Sequence, residues 1–138
     1  MPRRKLDRLD RLARLRRVEK LRAASQAAEA QGVHHKLLTL HQRSDEIARG
    51  LGQGGGAETG DDLLRRMAFA SGLQTIRQET GAESRKAEGM ARDAMAKLRA
   101  AERRHDVVGD QLLAEQRRVD AAAELRAASE LARNLKSS

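Results

Sequence analysis

Apolar residues recur along this chain at the spacing of a helix rather than of a strand. In the C-terminal half, a stripe at steps of three, four or seven residues comprises Ala87, Met90, Ala94, Leu98, Ala101, His105, Val108, Leu112 and Val119, and it is extended by Leu125, Ala128, Ala132 and Leu135. The N-terminal half carries a matching stripe of Ala23, Ala30, Val33, Leu37, Leu40, Ile47 and Leu51. Two narrow apolar stripes on long helices bury themselves best against each other. The pattern therefore predicts an all-α fold, a long antiparallel helical hairpin that forms a two-stranded coiled coil.

Interruptions of the pattern predict where the helices end. Six of the eleven residues in 50–60 are Gly, and such a stretch gains too little from packing to offset its backbone entropy. Thr59 and Asp62 fit a capping box at the start of the next helix, and Thr80 and Glu83, beside Gly81, suggest a second break. We expect a single domain made of helix 3–49, a Gly-rich loop 50–60, a shorter helix 62–79 at the far end and a long helix 82–135.

The composition argues against a compact enzyme. Hydrophobic residues make up 39% of the 138 residues and charged residues 35%, and Phe69 is the only aromatic side chain. A globular core normally uses aromatic residues, which bury about 150–250 Å² each. A chain rich in Ala, Leu, Arg and Glu is instead typical of long helices. Cys is absent, which excludes disulfides and thiolate metal sites.

No motif in the sequence indicates catalysis, a cofactor or a metal. The Gly-rich stretch lacks the Lys and the preceding strand of a phosphate-binding P-loop. His34, His35 and His41 cluster, but no acidic residue nearby completes a metal site. We therefore expect a protein that is not an enzyme and that needs no cofactor.

The N-terminal segment combines positive charge with apolar residues on every side. The formal net charge is +8, and residues 1–22 contain ten Lys or Arg against three acidic residues. Within this segment, six apolar residues are spaced by three: Leu6, Leu9, Leu12, Leu15, Val18 and Leu21. Each step of three turns about 300° around a helix, so the six residues circle it, and one neighbouring helix cannot cover them all. This arrangement favours insertion into a partner that surrounds the segment; the alternative is a helix with some exposed leucines.

Nucleic acid and membrane are the less favoured partners. Basic residues would bind phosphates, but here they circle the helix and no aromatic residues are interleaved for base stacking. No apolar run reaches the roughly 18 residues of a membrane span, and none follows the basic start as in a secretory signal. We expect a cytoplasmic protein that is peripheral to a membrane at most.

Three segments resemble the FliJ family of flagellar type III export proteins. The first is the basic, leucine-punctuated start, Leu6 to Leu21, and the second is the apolar and then Gln-containing segment from Leu63 to Gln78. The third is the Arg- and Glu-rich final helix with Leu at coiled-coil spacing. Together they span nearly the whole chain.

The resemblance implies a non-catalytic stalk similar to the central shaft of rotary ATPases. Such a stalk docks into the ring of the export ATPase hexamer and contacts the export gate protein and substrate chaperones, associating with the membrane only through the export apparatus. On this sequence, segment 6–22 and the helix that faces it, roughly 119–135, would enter the ring. The implied ring contacts are Leu6, Leu9, Leu12, Leu15, Arg16, Arg17, Val18, Leu21, Leu125 and Leu131.

The middle segment would supply a second contact. Met67, Phe69, Leu73 and Ile76 form its apolar side and are the implied contacts for the gate or the chaperones. The alternative is that these four residues pack back onto the hairpin. Two other functions stay open: a general coiled-coil scaffold or chaperone that self-associates through its stripes, and a basic helical nucleic-acid-binding protein.

Overall fold

In the computed structural model, two α-helices pack against each other. Helix α1 spans Pro2–Gln53 (52 residues) and helix α2 spans Gly60–Ser137 (78 residues). The structure describes residues 2–53 and 59–137, and no strand occurs among them. The predicted all-α fold, with two long helices packed together, is confirmed.

The end of α1 and the start of α2 differ from the predicted loop 50–60. Helix α1 continues to Gln53, because Leu51 lines a cleft together with Leu73 of α2 and so has a partner that a mobile loop would lack. Residues 54–58 of the predicted loop lie outside the described residues. Thr59 caps α2 as its sequence context predicted, since its hydroxyl oxygen accepts a hydrogen bond from the Asp62 amide at 3.1 Å.

The predicted break at Thr80 and Gly81 is wrong, because α2 is one continuous helix and does not divide into 62–79 and 82–135. The Thr80 hydroxyl donates a hydrogen bond to the carbonyl of Ile76 at 2.8 Å, so it does not cap a new helix. Gly81 lies under the imidazole of His41, and a Cβ atom at this position would lie 3.2 Å from His41 Cε1. The glycine thus makes room for a cross-helix side chain and does not end a helix.

This role of Gly81 can be tested with a second helical glycine. A Cβ at Gly89 would meet no atom within 4 Å, so Gly89→Ala is expected to raise the free energy of unfolding by about 1 kcal/mol through helix propensity. Gly81→Ala is expected to raise it less, because the new methyl group displaces His41. Urea unfolding of both variants in wild-type and His41→Ala backgrounds would measure this. Equal effects of the two glycine substitutions in the wild-type background would contradict the packing role.

Residue contacts divide the structure into two compact units. One consists of Met1–Ala24 with Lys97–Ser138, and the other is Ser25–Ala96. In Ser25–Ala96, His41 Nδ1 lies 3.2 Å from Thr80 Oγ1 and Arg77 Nε donates to Asp45 Oδ1 at 2.8 Å. The paired residue numbers rise in α1 as they fall in α2, so the helices of this unit are antiparallel.

Buried and half-buried side chains recur every seven residues along each helix. We call these positions the seam. In α2 they are Leu73, Thr80, Ala87, Ala94, Ala101, Val108, Glu115 and Ala122, with Arg77, Ser84, Ala91, Leu98, His105, Leu112 and Val119. In α1 they are Leu6, Ala13, Lys20, Ala27, His34, His41 and Ala48, with Leu9, Arg16, Ala23, Ala30, Leu37 and Ser44. Alanine and polar residues fill most of the seam beside a smaller number of Leu and Val, and no large side chain among the described residues is fully buried.

The seam agrees better with the predicted stripe of α2 than with that of α1. All the α2 residues predicted from Ala87 to Val119 lie in the seam except Met90, which is exposed. In α1, Val33, Leu40 and Ile47 were predicted to lie in the seam but are half exposed. His34, His41 and Ala48 occupy these seam positions instead. The cross-helix contacts of His41 and Asp45 explain this rotation of α1.

Candidate partner-binding site

The six apolar residues at the start of α1 fall into two groups, as their spacing of three requires. Leu6, Leu9 and Leu12 are half-buried on the side of α2. Leu15, Val18 and Leu21 are exposed to 54%, 48% and 59% on the other side. Apolar residues therefore do surround this end of the helix, and about half of the surface of three of them is left uncovered by the described residues.

Arginines share the face of the exposed apolar residues. Arg11, Arg14 and Arg22 are exposed, and each lies within about 40° of Val18 around the helix. Arg14 is paired within the helix, with its Nη2 2.9 Å from Asp10 Oδ2. The outer face of this segment is thus both apolar and cationic, which suits an acidic partner surface with apolar pockets.

The two predicted arginines of the site differ in their surroundings. Arg17 is exposed, as a residue that contacts a partner must be. Arg16 lies in the seam, its Nη1 donates to Glu19 Oε2 at 2.9 Å, and its buried Nε has no hydrogen-bond partner among the described residues. Arg16 therefore belongs to the packing between the helices more than to the outer face.

Glu115 holds the start of α1 to α2, a role that sequence reasoning missed. Its side chain is buried, with Arg118 Nη2 2.6 Å from Oε1 and Lys5 Nζ 3.6 Å from Oε2. The hydrogen bonds from Arg118, helped by the charge of Lys5, lower the pKa of Glu115 and so keep it ionised. The signal was available in its spacing, because Glu115 follows Val108 by seven residues and so falls in the seam.

The ion pair between Lys5 and Glu115 shows that Leu125 and Leu131 do not lie opposite residues 6–22, as was predicted. Because Lys5 lies beside Glu115, residues 6–22 face the part of α2 that precedes Glu115 and not residues 119–135. The prediction assumed outer helices of similar length, whereas α1 has 52 residues and α2 has 78. Leu125 and Leu131 are instead exposed to 70% and 62%, on a part of α2 that extends past the start of α1.

The four residues of the predicted second contact are divided by the structure. Leu73 is 8% exposed and lies in the seam, so the alternative of packing onto the hairpin holds for this residue. Met67, Phe69 and Ile76 are exposed to between 47% and 60%. Met67 and Phe69 are two residues apart and point to nearly opposite sides of α2, so these residues do not form one surface.

A further exposed surface was not expected from the sequence. Val33 and Met90 line one cleft between the helices. Leu40 and Ile47 follow Val33 at seven-residue spacing. In α2, Phe69, Ile76, Glu83 and Met90 have the same spacing, and Glu83 is the one residue of this series that is not apolar. We call the six residues Val33, Leu40, Ile47, Phe69, Ile76 and Met90 the apolar flank. The sequence places each of these residues one position before a seven-residue series of the seam. Val33, Leu40, Ile47 and Met90 belong to the predicted stripes, and a separate surface was therefore not recognised.

On the other side of the seam in Ser25–Ala96, an ion-pair cluster joins the two helices. Arg77 donates from Nε and Nη2 to the same oxygen of Asp45, and these hydrogen bonds lower the pKa of that carboxyl group. Arg49 lies 3.6 Å from the other Asp45 oxygen. This ion-pair cluster fixes the two helices against each other without presenting an apolar surface.

The histidines do not converge on one point. His41 is bonded to Thr80, His34 is half-buried and His35 is exposed. Among the residues that the structure describes, no group of three His, Cys, Asp or Glu could hold a metal ion. We assign none of the described residues to a cofactor.

Comparison with known proteins gives no relative of this chain. No protein-family model, curated protein sequence or solved structure matches it. Over the described residues, neither helix has an apolar stretch of the length that a membrane crossing requires. The function is therefore inferred from the packing of the two helices and from the side chains that they leave exposed.

Proposed function

We propose that the protein is a non-catalytic stalk of the flagellar protein export apparatus, whose basic end enters the ring of the export ATPase hexamer. The observation that carries this proposal is the exposure of Leu15, Val18 and Leu21 on the side of α1 that faces away from α2. A ring encloses its shaft, so it can cover apolar residues on a face that the partner helix cannot reach. The resemblance of Leu6–Leu21 and Leu63–Gln78 to the FliJ family supports the same function.

The energetics of this end suit a partner that encloses it. Burying a large aliphatic side chain completely is worth about 1.5–3 kcal/mol, so covering three half-exposed ones contributes a few kcal/mol in total. The exposed arginines beside them would speed association with an acidic ring interior. The positive charge and the apolar residues therefore act on the same partner, the first on the rate of binding and the second on its strength.

The seam supports a two-stranded coiled coil as the form of the shaft. Inward positions repeat every seven residues in both helices, which is the repeat of coiled-coil packing. Of the residues proposed for the gate or the substrate chaperones, Met67, Phe69 and Ile76 are exposed and available for such contacts. The protein would act in the cytoplasm, next to the membrane-bound gate.

Co-purification with the export ATPase of the same organism tests the proposal. We expect one basic end per ATPase hexamer and a change in ATP hydrolysis. Leu15→Glu combined with Val18→Glu should weaken binding at least roughly tenfold, which is about 1.4 kcal/mol. Both side chains are exposed, so the helical circular dichroism signal should be retained; Leu9 is unsuitable because it is half-buried.

Leu63→Glu provides the matched control. Leu63 is 52% exposed, like Leu15, but belongs to Ser25–Ala96 and not to the unit that contains the basic end. It should leave ATPase binding unchanged. A folded wild-type chain that forms no complex with the ATPase would refute the proposal, and so would equal weakening by the control variant.

A further inference from the structure

The apolar flank adds a third position, beside the two seam positions, to most seven-residue repeats of Ser25–Ala96. Val33, Leu40 and Ile47 of α1, and Phe69, Ile76 and Met90 of α2, lie one position before the seam and are about half exposed. Two apolar positions in seven are typical of an isolated pair of helices, whereas three in seven are typical of helices that face the core of a bundle. Ser25–Ala96 thus has the surface pattern of one half of a larger helical bundle.

The flank is formed by residues of this unit. In the unit of Met1–Ala24 with Lys97–Ser138, most of the corresponding positions are charged or polar: Lys5, Glu19, Lys97, Arg104, Gln111 and Arg118. The apolar exceptions are Leu12 and, beyond the last seam residue Ala122, Leu125 and Ala132. Along the seam, the flank is thus a delimited patch of Ser25–Ala96.

We propose that the apolar flank binds the same flank of a second copy of this chain, so that two Ser25–Ala96 units form a four-helix homodimer. The flank is two helices wide, and two helices of the same pattern cover it completely. In such a two-fold dimer both partners use the same patch, and this symmetry is the commonest among oligomers. The dimer does not involve the proposed ring contacts Leu15, Val18 and Leu21, which belong to the other unit, but it uses Phe69 and Ile76, which were also proposed for the gate or the chaperones.

The area of the flank matches that of a stable dimer. Six large side chains, each about half exposed, present roughly 500 Å² of apolar surface, which is near the upper end for the largest patch on a monomer. About 58% of a typical interface is non-polar, so this apolar surface corresponds to a total buried area of roughly 850 Å² per copy. Standard interfaces bury about 800 Å² per partner.

The seam of the single chain buries few large apolar side chains. The hydrophobic residues that are buried are four alanines, one leucine and one valine. A second copy on the flank would bury large apolar side chains that the seam leaves outside.

Sedimentation equilibrium of the full chain tests the proposal over about 1–100 μM, the range in which a moderate dimer dissociates. We expect a monomer–dimer equilibrium. Leu40→Glu should weaken it at least roughly tenfold, since it places a carboxylate at the centre of the patch. Glu83→Leu should tighten it, because Glu83 occupies the place between Ile76 and Met90 where the apolar series of α2 is interrupted. A gain in affinity cannot arise from misfolding.

The control for the dimer is Leu113→Glu, which adds the same charge at an exposed leucine of the other unit. It should leave the dimer unchanged. A wild-type chain that stays monomeric at about 100 μM would overturn the proposal and leave the flank for a helix of another protein. Dimers that are equally stable in the helical Leu40→Glu and Glu83→Leu variants would overturn it too.

Discussion

Replacing Val108 with Lys is expected to lower the free energy of unfolding by about 3 kcal/mol or more, the range found when a charge is buried without a partner. Val108 is 5% exposed in the seam. The cleft beside it is lined by Arg16, Arg103 and Arg104, so a new ammonium group would find like charges there and no carboxylate. Urea unfolding followed by circular dichroism measures the loss.

The adjacent valine makes this test specific. Val107 precedes Val108 in the same helix but is 55% exposed. Val107→Lys has the same helix propensity and the same change in net charge, and is expected to alter the free energy of unfolding by less than about 0.5 kcal/mol. Similar losses for the two variants would mean that the seam does not run through Val108.

Ala27→Leu is expected to destabilise the protein by about 1–3 kcal/mol, because it overpacks a part of the seam that is formed by alanines. Ala27 is 2% exposed, and the α2 seam in the same unit contributes Ala87, Ala91 and Ala94. The helices approach closely here because these side chains are methyl groups. A leucine must push them apart or leave its rotamer minimum.

Ala28→Leu is the control for this substitution, since Ala28 is exposed and Leu and Ala have similar helix propensity. It should change the free energy of unfolding only slightly. Both variants should be compared at one protein concentration, because self-association would add to the apparent stability. An Ala27→Leu variant as stable as wild type would show that the helices are not closely packed at this position.

The sequence predicts the helical fold and most of the α2 seam because both depend on spacing alone. From Ala94 to Val119, the predicted stripe residues follow one another at steps of three, four or seven, and the structure buries each of them at least in part. The circumferential arrangement from Leu6 to Leu21 is likewise a consequence of helical geometry. Features that follow from 3.6 residues per turn were therefore predictable.

The rest depends on contacts between residues that are distant in sequence. Nothing near Gly81 in the sequence reveals that His41 lies over it, so the glycine looked like a helix break. The rotation of α1 is set by the bonds of His41 to Thr80 and of Asp45 to Arg77. Hydrophobicity alone favoured Leu40 and Ile47 for the seam, because it gives no weight to a paired polar side chain.

The buried Glu115 limited the prediction of the candidate site in a similar way. Its ion pair with Lys5 decides which part of α2 lies beside the start of α1, and a stripe of apolar residues carries no information on that alignment. Without it, the predicted helix lengths placed Leu125 and Leu131 opposite the basic segment. The exposure of Leu15, Val18 and Leu21 did follow from their spacing and did not depend on this alignment.

The two units differ in how much chain must be closed to form them. In Ser25–Ala96 the cross-helix bonds join residues only 39 and 32 positions apart, while Lys5 and Glu115 are much further apart in the sequence. The entropic cost of bringing two residues together grows with their separation in the sequence, so we expect the helices to pair first in Ser25–Ala96. Residues further from the connection between the helices would pair later. The two helices of the basic end then pair last during folding and separate first. They can separate to bind a partner while the rest of the protein stays folded.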